Sequence, residues 1–198
     1  MIYPKFYDEV ETIKITDELS DVLGAFEDGN IEFSYLDVVK SAGHSCPTVA
    51  GAFLMLKEGL KRFDSPKRGE INAYLKDDMS EGVTGVISNV IAQVTGSTCK
   101  SGFHGLAGKY DRRGLMHFNA DITSSMRLVD RSGKVVDIDY DPNGLAPNPK
   151  MSPLMQKTLS NHATDEEKTE FKELWQERVE RILKFPEVVI TIKHSIIN

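Results

Sequence analysis

The chain contains few cysteines and no long apolar run. Its 198 residues include two cysteines, Cys46 and Cys99, which are too few for a disulfide framework. No stretch approaches the roughly 20 apolar residues that span a bilayer, and residues 1–6 lack the basic and apolar regions of a signal peptide. We therefore expect a cytoplasmic protein with no membrane partner, in which thiols serve metals or chemistry more often than disulfide bridges.

An excess of basic residues is also absent. The formal net charge of −6 argues against a general nucleic-acid-binding protein, which usually presents a basic face. The hydrophobic fraction of 40% and the charged fraction of 27% are ordinary for a globular protein. The length suits one domain, or one domain with an appendage.

The order of predicted elements is typical of an α+β fold, in which an antiparallel sheet packs with helices. Residues 16–19 begin a helix whose apolar stripe is Leu19, Val22, Leu23 and Phe26. A capping box at residues 78–81 begins a second, core helix that ends at 95–96. Strands are predicted over 115–122, 126–130 and 134–140, with a hairpin turn at 131–133 between the last two.

A C-terminal extension follows this core. Four of the eight prolines lie between residues 141 and 153, which predicts a linker or a long ordered loop. A capping box at 164–167 begins a helix that runs to about residue 184, and 187–192 form a final strand. We expect a core domain over residues 1–140, and an extension over 141–198 that packs on the core or on a second protein chain.

His44 and Cys46 lie in the break between two predicted helices. Pro47 suits the first position of the second helix, and the partial positive charge of a helix N-terminus stabilises a negative charge there. An imidazole and a thiolate two residues apart can bind one metal, or the imidazole can act as a base for a nucleophilic thiol. Cys46 is therefore the candidate catalytic residue. The alternative is a buried, inert cysteine beside a histidine that caps the helix, and these four residues alone leave both interpretations open.

Cys99 follows the core helix and provides a possible partner for this pair. His44, Cys46 and Cys99 would supply one nitrogen and two sulfurs, a ligand set that suits zinc. His104 and His117 are candidates for a fourth ligand. Either histidine could instead face solvent, His104 on a loop and His117 on a strand.

Charged residues at 109–113, Lys-Tyr-Asp-Arg-Arg, precede a predicted strand. Such a cluster could bind an anionic substrate, although a solvated turn is the commoner explanation. We therefore expect this segment to be a solvated turn.

Two motifs in this order resemble a known family. Residues 43–47, Gly-His-Ser-Cys-Pro, followed by a helix of small residues, are similar to the "GH-x-CPG" motif of the formylmethanofuran dehydrogenase E-subunit family. Residues 94–102 and 110–114 are similar to the family's later "TGCT-x-GKG" segment and the strand start after it. The likeness covers roughly residues 34–122. Thr48 stands where the family often has glycine, Ser97 stands at its second cysteine, and no zinc-ribbon tail follows the core.

The resemblance implies an α+β core that is often dimeric and holds a metal, usually zinc, in a cavity near the His-x-Cys motif. On that basis we expect a homodimer that binds zinc through His44, Cys46, Cys99 and His104, with a small-molecule substrate that the sequence does not identify. A role in one-carbon or redox metabolism follows from the family name. Three functions remain open: a metalloenzyme or thiol enzyme, a non-catalytic accessory or metal-handling protein, and a structural domain without metal.

Overall fold

The computed structural model describes residues 1–196 and confirms the α+β fold class. The helices are α1 Glu18–Val22, α2 Tyr35–Ala42, α3 Pro47–Leu60, α4 Thr84–Thr95, α5 Met151–Leu159, α6 Asp165–Lys184 and α7 Pro186–Val189. The strands are β1 Ile13–Thr16, β2 Asn30–Phe33, β3 Asn72–Leu75, β4 Met116–His117, β5 Met126–Val129, β6 Lys134–Tyr140 and β7 Ile190–Ile196. None of the described helices has the length and apolar character that crossing a membrane requires.

The strands form two sheets. β1 and β2 pair as a small antiparallel sheet. The larger sheet has the order β4-β3-β5-β6-β7, in which only the β3–β4 pair is parallel. The predicted hairpin turn between β5 and β6 is confirmed, since Gly133 adopts a φ of +86° and donates its N–H to Asp130 O at 3.1 Å.

α3 is the central helix of the hydrophobic core. Nearly all of its residues from Val49 to Leu60 are buried, as expected for a helix that is apolar on every side. Gly51 and Gly59 let the sheet approach closely, because a Cβ on Gly51 would lie 2.3 Å from the Tyr140 ring and one on Gly59 would lie 2.8 Å from Ile138 Cδ1. β6 can therefore pack directly on α3.

The predicted start of α4 at the capping box is wrong, because α4 begins at Thr84 without a side-chain cap. The carboxylate of Asp78 accepts hydrogen bonds from the Ser80 N–H and hydroxyl instead, and these bonds, with one from Asn119, lower the pKa of Asp78 to about 2. Local bonds of this kind compete with helix formation.

The strand predicted over 115–122 shortens to the two residues of β4. Asn119 adopts a φ of +54°, and Asn119 and Ala120 donate their N–H groups to the carbonyls of Asp77 and Leu75. The chain thus turns across the end of β3 and leaves the sheet.

The apolar stripe predicted for the first helix is also wrong. Only Leu19 of its four members is buried, and Val22, Leu23 and Phe26 are more than half exposed. The physical reason is length, since α1 spans only Glu18–Val22 and its short turn is too small to present a continuous face to the core.

The C-terminal extension packs on the core of its own chain. Val179, Ile182 and Leu183 of α6 belong to the same hydrophobic cluster as α3, and β7 pairs with β6 along seven residues. The capping box at Thr164 is confirmed. The final strand begins three residues later than predicted, because Pro186–Val189 form a helical turn. The end of the extension, residues 197–198, lies outside the described residues.

Candidate functional site

The break between α2 and α3 places His44 and Cys46 at the N-terminus of the central helix. Gly43 ends α2 with a φ of +74°, a conformation that glycine adopts without steric cost. Pro47 is the first residue of α3, and Cys46 is its N-cap. The Cys46 Sγ accepts a hydrogen bond from the Val49 N–H at 3.4 Å, the role that Ser or Asp usually fills. The half-buried sulfur therefore lies where the helix N–H groups stabilise a negative charge.

The imidazole of His44 is exposed, and a nearby backbone carbonyl holds its orientation. Its Nδ1 lies 3.0 Å from the Ala42 carbonyl oxygen. Because a carbonyl can only accept, Nδ1 carries the proton in this geometry, and the lone pair of the neutral ring lies on Nε2. A backbone carbonyl orients metal-binding histidines in this way. His44 can therefore use the lone pair of Nε2 to bind a metal or to act as a base.

A cleft of about 470 Å³ lies beside His44. α2 and α4 form its walls, with Val38 and Ser41 on one side and Asn89 and Gln93 on the other. The two amide side chains can donate or accept hydrogen bonds. A small polar molecule would therefore find both apolar contact and hydrogen-bond partners next to the imidazole.

Three aromatic side chains hold this motif in place, two through its backbone and one through a side chain. Trp175 Nε1 donates to Ser45 O at 2.8 Å, and the Tyr140 hydroxyl donates to Pro47 O at 2.7 Å. The Tyr35 hydroxyl lies 2.9 Å from Ser45 Oγ. Burial raises the pKa of Tyr35 and of Tyr140 well above the ordinary value. Both tyrosines therefore stay neutral near neutral pH.

Sequence patterns did not identify these three residues as part of the site. Trp175 belongs to α6 and is 130 positions from Ser45, and Tyr140 ends β6. One general rule could have pointed to Trp175, the chain's single tryptophan, because a buried indole N–H needs an acceptor. Nothing in the sequence identified Ser45 as that acceptor.

Cys99 and His104 lie on the loop that follows α4. Cys99 is half-buried and its thiol is free, while His104 is exposed. The Cys99 carbonyl accepts the Gly114 N–H at 2.5 Å, which holds Cys99 beside the segment that leads into β4. His117 is engaged elsewhere, since its Nε2 lies 3.2 Å from Asn72 Oδ1 and its ring stacks on Tyr74.

α4 runs away from His44 and Cys46, and so it places Cys99 and His104 far from them within one chain. Gln93, near the end of α4, donates to Asp37 O at the start of α2, and His44, beyond the end of α2, lines a cleft with Val86. α2 and α4 are therefore antiparallel. Between Val86 and Thr95 α4 rises about 14 Å, and Cys99 lies beyond that far end. Within the described residues of one chain, no three His, Cys, Asp or Glu side chains form a group that could hold a metal.

Ser97, at the position of the family's second cysteine, is fully buried. Its hydroxyl donates to Ile71 O at 2.6 Å and accepts from the Thr95 hydroxyl at 2.9 Å. These bonds satisfy the serine and join the end of α4 to the start of β3. At this position the chain therefore has a structural link in place of a thiol.

The match to a family model agrees with the motifs. A family model described as FmdE, molybdenum formylmethanofuran dehydrogenase operon, matches residues 42–192. A crystal structure of a tungsten formylmethanofuran dehydrogenase FmdE-like protein from Syntrophus aciditrophicus is similar to the chain with a TM-score of 0.45 and 13% identity, over 84% of this chain and 74% of that one. No curated protein matches the chain in sequence.

The family match is longer than the two motifs suggested. It includes His44 and Cys46, and it continues through α6 into β7, a segment that the motif resemblance did not cover. The predicted family is confirmed: the chain belongs to the FmdE family.

Proposed function

We propose that this FmdE-family protein binds zinc at the N-terminus of α3, through His44 Nε2 and Cys46 Sγ. The observation that carries the proposal is the hydrogen bond between His44 Nδ1 and the Ala42 carbonyl at 3.0 Å, which leaves Nε2 available. The Val49 N–H at 3.4 Å from the Cys46 sulfur supports the same role, because a metal-bound thiolate is negatively charged.

The two donors fit zinc, which binds imidazole nitrogen and thiolate sulfur in tetrahedral sites. When bound with an open position, zinc would lower the pKa of a water or polarise a carbonyl group of a substrate. The chain's own contribution is orientation. The Ala42 carbonyl holds the tautomer of His44, and the Trp175 and Tyr140 hydrogen bonds hold the backbone on both sides of Cys46.

Cys99 and His104 stay in the proposal as ligands from a second copy of the chain. α4 separates them from His44 within one chain, so a site that contains all four residues requires two chains. The homodimer itself is a proposal that rests on the family resemblance. Cys46 is the proposed catalytic residue, and one-carbon or redox metabolism is the proposed setting because the family is named for a formylmethanofuran dehydrogenase operon.

A non-catalytic metal-handling role is the second candidate, and the exposure of His44 favours it. A ligand at the surface lets a metal enter and leave without opening the core. The two candidate functions differ in how fast the metal is released. A metal-handling protein should release its metal to a competing chelator within minutes, whereas an enzyme should retain it through many turnovers.

The first test is metal content. Protein purified without chelators is expected to contain about one zinc per chain, measured by plasma mass spectrometry, and Co²⁺ substitution should give a thiolate-to-metal charge-transfer band. Cys46→Ser and His44→Gln should each remove most of the metal. Lys76→Gln, an exposed change outside both the His44 loop and the Cys99 loop, is the matched control. Full metal content in Cys46→Ser would overturn the proposed site.

The second test separates one-chain from two-chain sites. Cys46→Ala and Cys99→Ala chains, each deficient alone, are mixed after unfolding and refolded together. If the ligands come from two chains, each mixed dimer regains one complete site, and metal content should rise above that of either parent. An unchanged content would show that the ligands do not come from two chains, and wild-type content in Cys99→Ala alone would remove Cys99 from the set.

A further inference from the structure

A second cleft, of about 570 Å³, lies at the opposite end of α4 from His44. The start of α1, the turn before β3 and the segment around residues 108–112 form its walls. Five cationic side chains line it: Lys67, Arg68, Lys109, Arg112 and Arg131. Such a concentration of positive charge is unexpected in a chain with a formal charge of −6.

A buried carboxylate holds the floor of this cleft in place. Asp17 is 3% exposed and accepts hydrogen bonds from the N–H groups of Leu19 and Ser20. It also accepts from Arg68 Nη1 at 3.1 Å and from Arg112 Nη2 at 2.7 Å. Burial raises the pKa of Asp17, but the hydrogen bonds from Arg112 and Arg68, together with the charge of Arg112, outweigh burial and lower it. Asp17 is therefore ionised and fixed.

The charges of the cleft do not balance. Three of its four acidic side chains have partners of their own: Glu18 pairs with Lys67, Glu70 with Arg131 at 3.0 Å, and Asp111 with Arg113 at 2.6 Å. The fourth, Asp17, faces two guanidinium groups with one negative charge. Lys109 forms no ion pair within the described part of the chain. Two positive charges therefore remain without a counter-charge.

Arg112 also has unused hydrogen-bond donors. Only its Nη2 bonds to Asp17, and its Nε and Nη1 have no acceptor among the described residues. The guanidinium lies against Gly96, where a Cβ would be 3.1 Å from Nη1, so the helix end supports the group in one orientation. The segment 109–113, expected to be a solvated turn, exposes Lys109, Asp111 and Arg113, whereas Arg112, with 11% of its side chain exposed, lies at the cleft.

We propose that this cleft binds a small molecule that carries an oxyanion, either a carboxylate or a phosphate group, through Arg112 and Lys109. A guanidinium donates charge-assisted hydrogen bonds to both groups, here through its free Nε or Nη1, and Lys109 adds a positive charge from the exposed rim. Tyr110, which lines the cleft with a φ of +63°, offers an aromatic ring to the rest of the ligand. The volume is in the range of small-molecule sites.

The test is calorimetric titration of the full chain with inorganic phosphate and, separately, with citrate, at constant ionic strength set with chloride. Saturable binding of one or both is expected, and the stronger ligand identifies the group. Lys109→Gln and Arg112→Lys should each weaken binding about tenfold, the loss expected for one charge-assisted hydrogen bond. Lys109→Gln is the decisive variant, because Arg112 also supports Asp17.

Two controls decide the location. Lys100→Gln changes the net charge equally on the same loop but does not line the cleft, and it should bind like the wild type. Cys46→Ser should also bind like the wild type, since oxyanions bind zinc and must be excluded from that site. No saturable binding of either probe overturns the proposal. An equal loss in Lys109→Gln and Lys100→Gln, or loss in Cys46→Ser, overturns it as well.

Discussion

Trp175 donates its indole N–H to the carbonyl of Ser45 at 2.8 Å, and so joins the C-terminal helix α6 to the His44–Cys46 motif. The two residues are 130 positions apart. Residues 141–198, predicted as an extension, thus contribute directly to the backbone that positions the proposed metal donors.

Trp175→Phe tests the value of this bond. The change keeps an aromatic ring and removes the donor, so the buried Ser45 carbonyl loses its partner, which costs about 1–3 kcal/mol. We expect the free energy of unfolding to fall by about that amount in urea titrations followed by circular dichroism, and zinc affinity to fall with it. Tyr3→Phe, which removes an exposed hydrogen bond to Asp8, should change stability little. An unchanged urea midpoint in Trp175→Phe would show that packing alone positions α6.

The contact between Gly51 and Tyr140 provides a second prediction. A methyl group at Gly51 would lie 2.3 Å from the Tyr140 ring, so Gly51→Ala must displace the ring and its hydrogen bond to Pro47 O. We expect a destabilisation of about 1–3 kcal/mol from overpacking.

A double-mutant cycle isolates the clash. In a Tyr140→Ala background the space is open, and Gly51→Ala should be neutral or stabilising by about 1 kcal/mol, because alanine favours a helix over glycine. Equal effects of Gly51→Ala in both backgrounds would show that the ring does not limit this position.

The ion pairs of Asp17 predict a dependence on pH. Asp17→Asn leaves two guanidinium groups without a carboxylate, and removing one partner of a buried ion pair costs about 3–5 kcal/mol. Because the pKa of Asp17 is lowered in the folded chain, its contribution is fully present above the unfolded pKa of about 3.9. That contribution is lost as the pH falls through the folded pKa.

Urea titrations at neutral pH and below about pH 3.9 measure this contribution. The stability difference between wild type and Asp17→Asn should be large at neutral pH and should shrink in acid. Asp64→Asn, whose side chain is 98% exposed, is the control and should show little difference at either pH. A difference between wild type and Asp17→Asn that stays constant with pH would contradict the assignment of Asp17 as an ionised, paired group.

Local chemistry determined much of this protein from the sequence. Gly43 and Pro47 predicted the break and the new helix at His44 and Cys46, because each residue restricts the backbone by itself. The capping box at Thr164, the hairpin turn at Gly133 and the family motifs are local in the same sense. Patterns of this kind identified the α+β class and the family correctly, and they predicted the His44–Cys46 pair that the proposed site uses.

Prediction from the sequence failed where one segment could form two different local structures. Asp78 satisfied both a capping box and a turn with Ser80, and the turn formed. The proposed ligand set depended on bringing Cys99 to Cys46, which required the direction of α4 relative to α2. Local pattern does not specify that direction, since helix packing depends on contacts between distant residues.

The sequence by itself thus determined the fold class, the family and the placement of His44 and Cys46 at the start of a helix. Only the tertiary structure decided that Trp175 and Tyr140 support that pair, that Ser97 is a structural link, and that Asp17 joins Arg68 to Arg112. Each of these contacts joins residues far apart in the chain, and each arises because burial leaves a polar group that must find its partner in space.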